Sequence, residues 1–129
     1  MGRASFWRRT PPALFPSTLG AIGLSLGWRS AAEVLGAPII IADTLLVASG
    51  GVFCFILIAY IAKLCVRPLA VFDDLSPVPG RAAVSAGSMC LLLLAAGVLR
   101  ATGEAALAER LWLLGLMLHV VYMCCVIKV

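Results

Sequence analysis

Charged and apolar positions segregate along this chain into long blocks. From Thr44 to Ala62, nineteen residues (TLLVASGGVFCFILIAYIA) carry no charge, with Asp43 just before them and Lys63 and Arg67 just after. A helix of this length rises about 28 Å, close to the ~30 Å hydrocarbon core of a bilayer. No polar face recurs at helical spacing, as a helix at the surface of a soluble domain would need. Three other apolar blocks accompany it, so the pattern predicts spans at about 13–28, 43–64, 82–99 and 111–127. The predicted class is an all-α polytopic membrane protein, with four transmembrane helices forming two antiparallel hairpins. Residues 1–12 are predicted to be a tail and 13–129 the membrane domain.

The breaks between blocks are legible from turn chemistry. Pro16 falls in the first turn of span 1, where a missing backbone donor costs least. The stretch Ser30 to Ala42, with Gly36 and Pro38, is expected to be a loop, although Ile39–Ile41 could start span 2 early and leave Asp43 one turn inside it. Residues 66–81 (VRPLAVFDDLSPVPGR) contain three prolines, Gly80 and two aspartates and are expected to be the longest loop. Gly103 is the expected C-cap of span 3 in the loop Arg100 to Arg110. Placing the amino terminus in the cytoplasm puts Arg3, Arg8, Arg9, Lys63, Arg67, Arg81 and Lys128 inside, against Arg29, Arg100 and Arg110 outside. That distribution obeys the positive-inside rule.

Composition agrees with this class. The chain of 129 residues is 63% hydrophobic and 12% charged, with a mean hydropathy of +1.10. A soluble domain of this size could not bury so much apolar surface. The net charge of +4 does not point to nucleic acid, because the basic residues flank apolar runs and no basic patch interleaved with aromatics exists. Cys54, Cys65, Cys90, Cys124 and Cys125 lie in or beside apolar runs without a CxxC pair, so neither a disulfide framework nor a metal site is expected. No paired carboxylates, Ser-His-Asp set or phosphate loop is present, and neither an enzyme nor a cofactor is expected.

A few residues stand out from the apolar background. Gly20, Gly23 and Gly27 share one face of span 1, with Thr18 and Ser25 adding small polar groups. Such faces let helix backbones approach closely, or they line a passage. Span 3 opens with a small, weakly polar half that includes Ser85 and Ser88; these serines either bond back to their own helix or face a pore. Asp43 is expected to favour a helix start through the macrodipole, with a transport role as the alternative. His119 is the only ionisable side chain deep in a span, either functional or bonded to a neighbouring helix.

The order of these features carries a resemblance. Leu14-Phe15-Pro16, then Gly20-Ala21-Ile22-Gly23-Leu24-Ser25-Leu26-Gly27-Trp28, resembles the first helix of the tellurite-resistance/dicarboxylate transporter family, the TehA-like and slow-anion-channel proteins. Asp43 with Leu45-Leu46-Val47-Ala48-Ser49 resembles the start of that family's second helix, Tyr60 with Lys63-Leu64 its end, and Ser76-Pro77-Val78 the turn before the third. The family commonly has a His beside that turn, where Leu75 stands here. The resemblance covers about Pro12 to Val129. It implies a ten-helix fold of five hairpins around a pore, with odd-numbered helices inside, so this chain is expected to be the amino-terminal, truncated portion.

By the same resemblance the pore-lining candidates are Phe15, Thr18, Gly20, Gly23, Ser25, Ser85 and Ser88. The implied solutes are small inorganic anions or C4-dicarboxylates, the implied assembly is a homotrimer, and the implied site is a bacterial inner membrane. Two other functions stay open on the residues. One is a stand-alone four-helix scaffold or accessory subunit without transport. The other is a proton-coupled carrier using His119 and Asp43.

Overall fold

A computed structural model describes residues 12–127, and every element among them is helical: α1 (Leu14–Leu35), α2 (Ile39–Val66), α3 (Ala70–Leu75), α4 (Val78–Thr102) and α5 (Ala105–Ile127). The expected tail with Arg3, Arg8 and Arg9, and the closing Lys128, lie outside the described residues.

The helices run longer than the stretches expected from the sequence. α1 continues past Trp28 to Leu35, because nothing before Gly36 breaks a helix; Gly36 ends it with φ 72° and donates its N–H to Ala32. The expected loop at Ser30 to Ala42 shrinks to Gly36–Pro38, and α2 starts at Ile39. Gly103 caps α4 as expected, with φ 74° and its N–H on Leu99. α5 starts at Ala105 rather than Leu111, since Ala105 to Arg110 contains only good helix formers. The expected loop 66–81 also holds structure. It contains α3, and α4 begins at Val78 with Pro79 in its first turn, where proline is tolerated.

Among the described residues three helices, α2, α4 and α5, are long and apolar enough to cross a membrane. α1, expected as the first span, is not among them. Its glycines, hydroxyls, Arg29 and Glu33 dilute its apolar content.

α1 packs on α2 and on α4, α4 packs on α5, and α3 closes one end against α4 and α2. The stripe that α1 buries is Phe15, Thr18, Ile22, Ser25 and Arg29, at alternating spacings of three and four. α2 answers with Ala42, Leu46, Ser49, Phe53, Ile56, Tyr60 and Lys63 at the same alternation. This spacing keeps one seam facing its partner along antiparallel helices crossing at a shallow angle. At one end of the seam the Phe15 ring meets Tyr60 edge-on at 5.5 Å and tilts against Phe53 at 6.1 Å. Cys90, Leu91 and Leu94 of α4 complete this core. Gly115 lets α5 close on α4, since an added Cβ would stand 3.0 Å from both Leu91 and Leu92.

Candidate functional site

The hydroxyls inside the bundle are satisfied locally. Thr18 Oγ1 donates to the Phe15 carbonyl at 2.8 Å, Ser25 Oγ to Ile22 at 2.7 Å, Ser49 Oγ to Leu45 at 2.6 Å and Ser85 Oγ to Ala82 at 2.9 Å. Bonding back to the preceding turn lets a hydroxyl sit among apolar groups without a partner from another helix. Cys90 Sγ adds a contact at 3.6 Å to Thr18 Oγ1.

The seven pore-lining candidates do not share one surface. Phe15, Thr18 and Ser25 are buried between α1 and its neighbours. The packing stripe runs along one side of α1, and Gly20 and Gly23 lie on the other. Nothing approaches within 4 Å of where a Cβ would be at Gly20, Gly23 or Gly27. Ser85 is half-buried on α4, and Ser88 is buried against α5.

Ser88 and His119 meet across the α4–α5 seam. Ser88 Oγ lies 2.8 Å from the Ser85 carbonyl and 2.9 Å from His119 Nδ1. The serine has one proton. When it goes to Ser85, the imidazole must carry its proton on Nδ1 and donate to Ser88. The His119 and Tyr122 rings lie 6.0 Å apart, and the Tyr122 hydroxyl donates to the Arg81 carbonyl at 2.7 Å. Two polar links therefore tie α5 to α4. Replacing His119 with alanine should lower the unfolding free energy by about 1 kcal/mol, the usual scale for a hydrogen bond between membrane helices. Unfolding in detergent measures it, and Ser88→Ala should add little on top of His119→Ala because both remove the same bond.

Asp43 does not cap α2. Pro38 occupies the N-cap, and the Asp43 carboxylate instead pairs with the buried Arg29 guanidinium. Arg29 also donates to the Arg100 carbonyl at 3.2 Å, while Arg100 itself pairs with Glu33 and donates to Ser30 at 3.1 Å. Trp28 Nε1 donates to the Pro38 carbonyl at 3.1 Å. This network binds α1, α2 and α4 at one end. Two cations face two carboxylates, which leaves no excess charge to hold an anion there.

At the opposite end, Asp74 of α3 receives Lys63 Nζ at 2.8 and 3.0 Å and the Tyr60 hydroxyl at 3.0 Å. Tyr60 also touches Phe15, so α3 lies at the end where α1 begins. Sequence reasoning missed both networks. Their partners stand 14 and 11 residues apart on different helices, and nothing local marks them as pairs.

Among the described residues, shallow apolar grooves include one of about 490 Å³ between α4 and α5 and one of about 370 Å³ between α1 and α2. Among the described residues no cluster of His, Cys, Asp and Glu could hold a metal.

Comparison with known proteins bears on this arrangement. No curated protein and no solved structure matches the chain. A family profile described as voltage-dependent anion channel matches residues 9–129, in agreement with the resemblance carried by the glycine-laced first helix. The match spans nearly all of the sequence, and with it the helical bundle and its apolar spans: the chain belongs to the voltage-dependent anion channel family.

Proposed function

We propose that this chain passes small anions across a bilayer, as the first two hairpins of a ten-helix pore whose route runs along the open face of α1. The observation that carries this is the division of α1 into two sides. One side is packed against α2 and α4; the other presents Gly20, Gly23 and Gly27 to open space. A surface of backbone and small side chains without buried cations holds an anion weakly enough to release it. In this arrangement α1 crosses the membrane with α2, α4 and α5, in two antiparallel hairpins. The amino terminus is cytoplasmic, the membrane is a bacterial inner membrane, and the assembly is a homotrimer. The solutes are inorganic anions such as chloride, nitrate or tellurium oxyanions, or C4-dicarboxylates.

Purified chain in liposomes tests this directly through efflux of chloride, nitrate and malate. Gly20→Ala and Gly23→Ala should raise helix stability by about 0.5–1 kcal/mol each, because alanine is the better helix former and no neighbour obstructs its methyl. Gly23→Leu should cut efflux several-fold while the fold survives. Efflux that is unchanged by leucine would remove this face from the route. A scaffold without transport is the second reading, favoured by α5, whose most apolar window is only 6% buried and so offers a long surface to other helices. Efflux of any of the three anions from liposomes holding this chain alone would exclude it.

A further inference from the structure

We propose that α3 is an interfacial helix, lying in the plane of the membrane with Leu69 and Phe72 dipped into the boundary between headgroups and acyl chains. α2 has 28 residues. It rises roughly 42 Å, about 12 Å more than a bilayer core requires. Asp43 and Lys63 bound its uncharged run, about 30 Å of helix, which puts Lys63 and the turn after it at headgroup depth. α3 does not extend beyond them. The bonds from Asp74 to Tyr60 and Lys63 fold it back beside the last two turns of α2. The Tyr60 and Tyr122 hydroxyls both serve polar groups at this end, the position of the aromatic belt in membrane proteins.

The two faces of α3 differ. Ala70 and Leu75 point inward at 3% and 1% exposure, whereas Leu69 and Phe72 point outward at 71% and 44%. Val66 and Val78, which flank α3 on the spanning helices, are also exposed, at 57% and 76%. The outward apolar side chains of α3 thus continue the exposed apolar surface that Val66 and Val78 present at this end of α2 and α4. Arg67 is only loosely held by Asp73, at 3.7 Å with both side chains exposed. Such a pair contributes little, which leaves the arginine stem able to lie along acyl chains while its guanidinium meets phosphates. An amphipathic segment of this kind binds an interface through buried apolar area together with basic flanks. The occupant of this face is lipid, and the claim does not depend on which solute the bundle passes.

A single-tryptophan version of the full chain tests it: Phe72→Trp with Trp7, Trp28 and Trp112 each replaced by Phe, reconstituted into vesicles with and without lipids brominated near the top of the acyl chain. Insertion predicts blue-shifted emission, a roughly twofold or larger loss of intensity in brominated vesicles and little quenching by iodide in the aqueous phase. Leu69→Trp in the same background should behave alike, and Val34→Trp, at the opposite end of the bundle, serves as the comparison. Emission that is insensitive to bromine and quenched by iodide would overturn the proposal. So would emission shielded from both, because protein rather than lipid would then cover the face. Anion efflux reads the proposed function separately, so the two can fail independently.

Discussion

Replacing Asp74 with alanine is expected to cost about 3–5 kcal/mol, the largest effect of any single side chain in this bundle. The Asp74 side chain is 15% exposed, and the Lys63 side chain whose ammonium it neutralises is 9% exposed. Both of its oxygens are taken by Lys63 at 3.0 and 2.8 Å, and Tyr60 donates a third bond. Alanine takes away the counter-charge and the acceptor together, while the ammonium stays in a site with little water. Most of the cost is the loss of Asp74's own charge and acceptor oxygens in a site with little water. Asp74→Leu with Lys63→Met should therefore recover most of the loss, since an apolar pair of similar volume is often neutral in such a site. Unfolding of the three variants in detergent gives the result. A loss below about 1 kcal/mol for Asp74→Ala would mean that the pair behaves as an exposed surface bridge.

Gly80→Ala should be nearly as damaging, at about 2–3 kcal/mol. A Cβ at this position would overlap the backbone carbonyl of Asp74 and stand 3.2 Å from Pro77 Cγ. The obstacle is main chain, so no rotamer change relieves it. α3 has to lift from α4, which pulls Asp74 away from Lys63 and Tyr60. The two substitutions then act on one contact, and Gly80→Ala with Asp74→Ala should cost clearly less than their sum. Gly97→Ala is the instructive contrast. Its Cβ meets Leu46 Cδ1 at 2.6 Å, but that atom is the tip of a flexible side chain. The expected cost is about 1 kcal/mol, after Leu46 shifts.

The glycines show how differently one residue type can be used, and why the sequence could not sort them. In the sequence Gly20, Gly23, Gly80, Gly97 and Gly115 are alike. In the bundle the first two face open space, Gly80 and Gly115 admit close neighbours, and Gly97 accepts a leucine. The spacing of Gly20, Gly23 and Gly27 correctly placed them on one side of α1. The same helical spacing sets Thr18 and Ser25 on the opposite side, and they lie with Phe15 in the packed seam. Gly36 and Gly103 were legible as helix ends, because a chain leaving a helix through positive φ needs glycine whatever surrounds it.

The sequence by itself determined the class of this protein. Uncharged runs long enough for a bilayer, basic residues at their ends and the ordered motifs of the first helix suffice for a polytopic helical protein of the voltage-dependent anion channel family. Only the tertiary structure decided which side of each helix turns inward. α2 is apolar all round, so polarity offers no contrast between a face toward lipid and a face toward protein. That choice rests on shape: the alternating stripe of Leu46, Phe53 and Tyr60 against Phe15 and Ile22, and the close approach at Gly115. The pairing of Asp43 with Arg29 and of Asp74 with Lys63 had to wait for the structure as well. Each joins charges from different helices, and only the assembled bundle brings them within reach.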